Sequence, residues 1–292
     1  MFSNPFDSPG QWLKANLHTH TTTSDGDMPA AERCRQYREH GYQVLALTDH
    51  DQTNDLSGLS TDEFLVISGF ETHPPSSDMG HYHFVCLDLP RGFHFVGEPD
   101  AQGRIDAVKA AGGEVIIGHP YWCGMNVSHL LPLQGAFAME VYNATCAKSG
   151  KGYSSVHWDD LLDAGRILPA VAVDDVHHGR DIFMGWTMIK ARELTVPAVM
   201  DALRTGCYYS SCGPVIEDAR IEDGKLRVRC SPAMEIHFLA QRSWGETFYA
   251  DGGELLTSAE CPVDPSWNYV RVEVIDSQLN HAWTNPFILG NG

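Results

Sequence analysis

Short, continuous runs of apolar residues constrain the fold of this chain more than any other feature of its sequence. Residues 44–48, 64–68 and 114–118 are such runs, and they alternate with segments that have helical patterns. A strand that is apolar on both faces is typical of a parallel sheet covered by helices. The alternation of strands and helices therefore predicts an α/β fold with a mostly parallel sheet.

Further elements follow the same pattern along the chain. Asp27 is a plausible N-cap and Pro29 fits the first turn of a helix that ends near Gly41. The other predicted helices cover residues 102–111, 158–165 and 195–204. The other predicted strands cover residues 81–87, 138–142, 167–173 and 185–191.

The pattern changes at about residue 211. Short segments of alternating polarity follow at residues 215–221, 226–230, 235–239 and 269–275. Asp223 and Gly224 separate two of these segments, and Asp-Gly is a strong hairpin signal. We therefore predict an α/β domain over residues 1–210 and a small antiparallel β domain over residues 211–292.

Two histidines stand where the first apolar segment gives way to a polar turn. In a strand, residues i and i+2 point to the same face, so His18 and His20 can direct both imidazoles at one point. Imidazole is a common ligand of Zn, Fe, Ni and Cu. Asp25 follows in a loop that can fold back and add an oxygen ligand.

The ends of later strands carry more residues of the kinds that bind metals. They are His50, Glu71, His119, Asp175 and His177. His83 is the exception, because it lies within its predicted strand. In parallel barrels the active site lies at the carboxyl ends of the strands, where the strand-to-helix loops converge. These residues therefore predict a metal site at that rim of the sheet.

Two positions have alternatives. Asp174 could replace Asp175 as a ligand, although alternation with His177 favours Asp175. His81 could replace His83, since both would point to the same face of their strand.

Other polar residues lie near the same rim. Arg180 could bind a substrate phosphate with its planar guanidinium, or form a surface salt bridge. Asn143 and Tyr142 end a strand there and could support the ligands or contact substrate, and core packing is an equal alternative for Tyr142. His178 is interpreted as a neighbour of the ligands. The histidines interpreted as ordinary packing or surface residues are His40, His73, His94, His129, His157, His237 and His281.

Composition excludes several classes of protein. The net charge of −18 argues against broad contact with a nucleic-acid backbone, but it does not exclude a small anionic substrate held through divalent ions. No apolar run predicts a membrane span, and the first residues do not resemble a signal peptide. The eight scattered cysteines are expected as thiols in a reducing cytoplasm. No motif of a serine hydrolase or a P-loop protein is present.

Five motifs together resemble one known family. In chain order they are L-H-T-H-T-T-T-S-D-G, L-T-D-H-D, G-F-E, G-H-P and D-D-V-H. This set resembles the PHP (polymerase and histidinol phosphatase) superfamily over about residues 16–210. Later motifs, such as Y-Y-S-S-C-G-P at 208–214 and A-W-T-N-P at 282–286, resemble a carbaryl-hydrolase-like branch with a C-terminal β domain.

The resemblance implies a distorted (β/α)7 barrel and up to three divalent ions, such as Zn, Mn or Fe. It implies a first ligand group of His18, His20, Glu71 and Asp175. It implies a second group of Glu71, His83 and His119, with Glu71 as the bridge. It implies a third group of Asp25, His50 and His177.

The implied activity is hydrolysis. Clustered divalent ions lower the pKa of a water to give a hydroxide nucleophile, and they hold the attacking and leaving oxygens of a phosphate ester. The expected function is a metal-dependent phosphoesterase acting on a small phosphorylated or nucleotide substrate, with Glu71, Asp175 and Arg180 as catalytic residues and Arg180 and Asn143 as substrate contacts. The alternative is a carboxylic ester or carbamate hydrolase that uses the same ions.

Overall fold

The computed structural model describes residues 2–289. Its strands are β1 (Gln11–Asn16), β2 (Val44–Leu47), β3 (Leu65–Thr72), β4 (Pro75–Ser76), β5 (Gly80–His81), β6 (Phe84–Leu87), β7 (Glu114–Ile117), β8 (Ala138–Asn143), β9 (Ala170–Val173), β10 (Trp186–Ala191), β11 (Tyr208–Ser211), β12 (Ile216–Glu222), β13 (Lys225–Ala233), β14 (Glu235–Ala240), β15 (Gly245–Tyr249), β16 (Leu256–Pro262), β17 (Tyr269–Ile275), β18 (His281–Thr284) and β19 (Phe287–Ile288). Its helices are α1 (Ala30–Glu39), α2 (Ala101–Ala110), α3 (Pro120–Cys123), α4 (Val127–Leu130), α5 (Ala144–Ala147), α6 (Ser155–Asp163) and α7 (Val196–Arg204).

The chain has a mixed α/β fold built on one large sheet. The strand order β1-β2-β3-β6-β7-β8-β9 forms one part of it. Strands β1, β2 and β3 are parallel, as are β7, β8 and β9, but β6 runs antiparallel to both β3 and β7. Because the remaining pairs of the sheet are antiparallel, the prediction of a mostly parallel sheet is right only for those two blocks.

The two ends of this strand series meet at one rim. Just beyond β1 and β9, Thr19 and Val176 form a parallel bridge. The amide of His20 donates to the carbonyl of Val176 (3.1 Å), and the amide of Asp175 donates to the carbonyl of His18 (3.0 Å). The carboxyl ends of β1 and β9 are therefore joined by backbone hydrogen bonds.

Strand β2 explains why the apolar runs are continuous. Its four residues are fully buried, and they alternate between two clusters of the core. Val44 and Ala46 pack with the interior residues of the neighbouring strands, whereas Leu45 and Leu47 pack against α1. Each face of the strand is thus apolar because each contacts a different part of the core.

Helix ends follow from local capping, with one correction. Asp100 caps α2 by accepting from the amide of Gly103 (2.8 Å), and Thr195 caps α7. The prediction that Asp27 caps the first helix is wrong, because Pro29 occupies the N-cap position. The carboxylate of Asp27 instead accepts from the guanidinium of Arg33 (2.5 Å).

The strands after β10 are antiparallel. Strand β11 pairs with both β10 and β18, so the large sheet continues into the C-terminal strands. Strands β12, β13 and β16 form a separate three-stranded sheet. The predicted hairpin at Asp223-Gly224 is confirmed, and both residues have the positive φ of a type I′ turn (50° and 74°). A cluster of apolar residues lies between the two sheets.

Two further expectations concern single features of the chain. All eight cysteines lie within the described residues as free thiols, and only Cys123 is not buried. Within residues 2–289, no helix is both long enough and apolar enough to cross a membrane.

Candidate functional site

All nine predicted metal ligands come together at the rim where β1 meets β9. They lie at or beyond the carboxyl ends of β1, β2, β3, β7 and β9, except for His83. His83 directly precedes β6, and because β6 is antiparallel to β3, the amino end of β6 lies at the same rim. The strand that seemed an exception in the sequence thus delivers its histidine to the same place.

Glu71 lies at the centre of this cluster. Its Oε2 atom is 3.4 Å from Nε2 of both His18 and His20, and 3.1 Å from Nδ1 of His50. The carboxylate is almost completely buried. On this side one oxygen of Glu71 therefore faces the imidazole nitrogens of three predicted ligands.

The other oxygen of Glu71 faces a second pair of imidazoles. Its Oε1 atom is 2.7 Å from Nδ1 of His83 and 3.2 Å from Nε2 of His119. The sulfur of Cys123 lies 3.4 Å from Nδ1 of His119. Cys123 thus joins His83 and His119 in a group that could hold a metal ion, which the sequence did not suggest.

Asp175 completes the first ligand group. Its Oδ1 atom is 3.2 Å from Nε2 of His18 and 3.0 Å from Nε2 of His20. The four ligand atoms of His18, His20, Glu71 and Asp175 all lie within 4.8 Å of one another. Asp175 also has a positive φ of 53°, a conformation that is uncommon for residues other than glycine and that clusters at functional sites.

The third group lies at the outer side of the cluster. The Oδ2 atom of Asp25 is 3.3 Å from Nε2 of His50 and 3.4 Å from Nε2 of His177. His20 lies beside this group, with its ring centroid 4.1 Å from that of His177. The geometry thus brings together each of the three residue sets that the family resemblance implies.

Hydrogen bonds fix the ring orientation of two of the histidines. Nδ1 of His18 lies 2.7 Å from a carboxylate oxygen of Glu140, and Nδ1 of His177 lies 2.8 Å from the backbone carbonyl of Asp175. Since these oxygens only accept, both Nδ1 atoms donate, and the two Nε2 atoms are left to face the cluster. This arrangement is common among metal-binding histidines.

Glu140 and Asn143 hold several of the ligands in place through hydrogen bonds. Glu140 also accepts from the amide of His119 (2.9 Å) and from the side-chain nitrogen of Asn143 (2.8 Å). The same nitrogen lies 3.1 Å from Oδ2 of Asp175, and the oxygen of Asn143 accepts from the amide of Cys146. The polar atoms of Asn143 are therefore engaged within the protein, which favours a supporting role over substrate contact.

The loop that carries Asp25 is held by a buried carboxylate. Asp49 accepts from the backbone amides of Thr21 (2.8 Å) and Ser24 (3.0 Å). Gly26 closes the loop, and a Cβ atom there would lie 2.5 Å from the carbonyl of His20. This close approach explains the glycine after Asp25.

Three buried polar atoms of the cluster have no hydrogen-bond partner among the described residues. They are Nδ1 of His50, Nε2 of His73 and Oδ1 of Asp175. Buried polar atoms are rarely left without a partner, because this costs about 1–3 kcal/mol each. Imidazole and carboxylate together suit Zn, Mn or Fe, so the residues present fit divalent ions.

The charges of the cluster point the same way. Burial lowers the pKa of His20, but Asp175 and Glu71 outweigh it and raise that pKa to about 9. Burial raises the pKa of Glu71 and of Asp175. The surrounding imidazoles outweigh burial, with the largest effect from His18, and hold the pKa of both carboxyls well below the usual range. The carboxylates therefore remain ionised and require a proton or a cation between them and the imidazoles.

The structure distinguishes between the alternatives left by the sequence. Asp174 is turned away from the cluster, where it accepts from the hydroxyl of Tyr37 (2.6 Å) and from three backbone amides. Burial raises the pKa of Asp174 to about 6. His81 is exposed in the short strand β5. Asp175 and His83 are the members of each pair that face the cluster, where Asp175 contacts His18 and His83 contacts Glu71.

Arg180 is exposed, and none of the ion pairs among the described residues includes it. It lies close to Lys148, whose pKa is lowered by burial and then by Arg180. Asp175 acts on Lys148 in the opposite direction, so Lys148 lies near the rim. Lys148, which sequence reasoning missed, also pairs with Asp181.

His73, interpreted from the sequence as an ordinary histidine, lies against the cluster. Its Nε2 atom lies 3.5 Å from Oε2 of Glu71, and its ring is packed between those of His50 and His83. The available signal was its spacing, because His73 is two residues after Glu71 and shares its face. The other histidines interpreted as ordinary have their hydrogen bonds outside the cluster, within the part of the chain described: His40, His94, His129, His157, His237 and His281.

No protein-family model matches the sequence, and no curated protein matches it. Solved structures do match. A two-domain protein from Bacteroides vulgatus, which contains a predicted PHP-like metal-dependent phosphoesterase, aligns with a TM-score of 0.57 and 14% identity over 98% of both chains. At 14% identity, this likeness shows a shared fold only.

Two further solved structures align less well. An amidohydrolase from Chromobacterium violaceum has a TM-score of 0.46 and 17% identity, and covers 57% of this chain and 89% of its own. A lesion-specific endonuclease from Pyrococcus furiosus has a TM-score of 0.47 and 11% identity, and covers 66% of this chain and 56% of its own. Neither likeness is close enough to show a shared fold. The chain therefore shares the fold of a two-domain protein with a PHP-like domain, in agreement with the resemblance of its motifs to the PHP superfamily.

Proposed function

We propose that this chain is a metal-dependent phosphoesterase that hydrolyses a small phosphorylated or nucleotide substrate. The proposal includes a distorted (β/α)7 barrel made by β1, β2, β3, β6, β7, β8 and β9 with their helices. It includes a division into a barrel domain (residues 1–210) and a small β domain (residues 211–292). The carbaryl-hydrolase-like branch stays a prediction within it.

The observation that carries the proposal is the position of Glu71. Its two carboxylate oxygens face different imidazole groups, with His18 and His20 on one side and His83 and His119 on the other. A carboxylate in this position can hold two ions at a fixed separation. Bound divalent ions would lower the pKa of a water molecule, which could then attack the phosphate. They would also stabilise the negative charge on the attacking and leaving oxygens.

The residues around Glu71 prepare the site for such ions. Glu140 orients His18, and Asn143 holds Asp175 beside Glu140. Because the positions of the ligands are fixed by these hydrogen bonds, the site needs little rearrangement when ions bind. Asp25, His50 and His177 supply a third position at the outer side.

The surroundings favour a small anionic substrate. Lys148 pairs with Asp181, whereas its neighbour Arg180 has no ion-pair partner among the described residues, so the guanidinium of Arg180 could hold a phosphate group. The chain otherwise has a net charge of −18, which is unfavourable for a long nucleic-acid backbone. Free thiols at all eight cysteines agree with a reducing compartment, and we propose a cytoplasmic location.

An activity screen with matched metal analysis tests the proposal. Protein purified without chelator should contain two or three equivalents of Zn, Mn or Fe. It should hydrolyse phosphate monoesters or diesters when Mn or Zn is added, and it should lose this activity in chelator. Protein that binds no added Mn or Zn would refute metal dependence. Activity confined to aryl esters or carbamates would instead support the alternative hydrolase.

A further inference from the structure

His73 lies where no family motif places a ligand. It follows β3 directly, and its side chain is 22% exposed. Its ring centroid is 4.5 Å from that of His50 and 4.2 Å from that of His83. Nε2 of His73 is buried without a hydrogen-bond partner in the described part of the chain, and it lies 3.5 Å from Oε2 of Glu71.

The neighbouring His50 has the same property at one of its two nitrogens. Its Nδ1 atom is buried, has no hydrogen-bond partner among residues 2–289 and lies 3.1 Å from the same Oε2 of Glu71. Its Nε2 atom instead faces Asp25, at 3.3 Å. His50, Glu71 and His73 together offer three ligand atoms within 4.8 Å of one another.

A neutral imidazole limits how these groups can be used. It carries one proton and one free lone pair, so it binds a metal ion through one nitrogen at a time. His50 can therefore serve Asp25 and His177 through Nε2, or Glu71 and His73 through Nδ1. The two groups are alternatives that share one histidine.

We propose that the third metal ion has two alternative positions, selected by the nitrogen that His50 offers. The outer position has Asp25, His50 Nε2 and His177 as ligands. The inner position has Glu71 Oε2, His50 Nδ1 and His73 Nε2 as ligands. The inference rests on the metal binding in the proposed function and goes beyond it, because it makes His73 a ligand.

The two positions differ in surroundings. Asp25 is half-exposed, whereas Glu71 is buried and its Oε2 also faces His18 and His20. The inner ligand group therefore shares Glu71 with the first ligand group, whereas the outer group does not. Either position leaves room for further ligands, since only three protein atoms contribute. The Oδ2 atom of Asp51 lies 3.8 Å from Nδ1 of His73, the ring nitrogen that does not face Glu71.

Metal counting on single and double variants tests the proposal. Phenylalanine keeps a packed ring but has no lone pair, so the variants are His73→Phe, His177→Phe and the double variant. Each is saturated with Mn or Zn, dialysed and measured by elemental analysis. We expect three equivalents in wild type and in both single variants, with the third ion bound more weakly in the singles. The double variant should retain one equivalent fewer than His177→Phe.

The comparison of the double variant with His177→Phe decides the matter. Equal metal content and equal affinity in these two proteins would overturn the proposal. A cobalt-loaded His177→Phe protein should also show a visible absorption spectrum that changes when His73→Phe is added, and an unchanged spectrum would contradict the ligand role. Wild type that binds no ions would refute the proposed function itself. Exposed His94→Phe is the matched control and should leave the count and the affinity unchanged, and thermal melts in chelator check that each variant folds.

Discussion

Two groups of charged side chains in this molecule differ in the partners that balance their charges. At the seam between α6 and the C-terminal strands, the buried guanidinium of Arg271 donates two hydrogen bonds to Asp159 (both 2.8 Å) and one to Glu273 (3.0 Å). The other oxygen of Glu273 lies 2.6 Å from Nδ1 of His281. None of these four side chains has a buried polar atom without a partner.

In the Glu71 cluster, no arginine or lysine of the described residues pairs with the carboxylates of Glu71 and Asp175. Among the described residues, the ion-pair partners of Glu71 and Asp175 are all histidines, and three buried polar atoms of the cluster have no partner. A charge network that includes an arginine can be complete within the protein. A network of carboxylates and imidazoles without one is completed by protons or by metal ions. We therefore expect the Arg271 network to contribute to stability and the Glu71 cluster to bind metal ions.

Replacing Glu71 should give the largest effect on activity. Glu71→Gln keeps the shape of the side chain but removes the charge that both ligand groups share, so it should loosen two ions and lower turnover by orders of magnitude. The fold should survive, because glutamine fills the same space as the glutamate that it replaces. Metal analysis, hydrolysis rates and thermal melts in chelator measure these effects.

His178→Ala is the matched control for this variant. His178 follows a ligand in the chain, but its side chain is 55% exposed. Its loss should change metal content and turnover far less. If Glu71→Gln retained full metal content and near wild-type turnover, the bridging assignment would be wrong.

Replacing Arg271 should affect stability instead of metal binding. Arg271→Met leaves the buried carboxylate of Glu273 without its arginine partner, and breaking a buried pair in this way costs about 3–5 kcal/mol. Denaturant unfolding should measure this loss, whereas the metal content of the folded variant should equal that of wild type.

The control for Arg271 is an arginine with exposed partners. Arg227 pairs with Glu222 and Glu260 on the surface, so Arg227→Met should cost only about 0–1 kcal/mol. Equal losses in the two variants would show that the buried network does not contribute as described.

The smallest expected effect is a change in acid sensitivity. Burial raises the pKa of Glu273, but His281 and Arg271 outweigh it and lower the pKa from 4.5 to about 2. Because the folded pKa is lowered, this group stabilises the protein above pH 4.5, and the contribution is lost as the pH falls toward 2. In chelator, Glu273→Gln should have a shallower fall in unfolding free energy over that range than wild type. An identical slope in both proteins would contradict the assigned pKa.

Much of the fold could be predicted from local sequence patterns. The runs of apolar residues marked the buried strands, because each such strand contacts the core on both faces, as Val44 and Leu45 illustrate. The Asp223-Gly224 pair marked a hairpin, because its turn needs two residues with positive φ. The position of polar residues at strand ends then indicated which side chains would meet.

Other features depend on contacts that no local pattern records. The reversed direction of β6 is set by its pairing with β3 and β7, so the sequence did not show why His83, which is not at the carboxyl end of a strand, lies at the same rim. Glu140 lies in the middle of an apolar strand, and its role is visible only from its contact with His18. The position of His73 was predictable in principle from the i+2 spacing that had identified His20.

The junction between the carboxyl ends of β1 and β9 affects the order of folding. It is closed by contacts such as the one from the amide of Asp174 to the side chain of Asn16, which are 158 residues apart in the chain. Contacts between such distant residues carry a large loop-closure entropy, and proteins rich in them fold slowly. During synthesis, the histidines after β1 are made first but cannot meet Asp175 until β9 has been added. The complete cluster therefore forms late, after most of the strands that surround it.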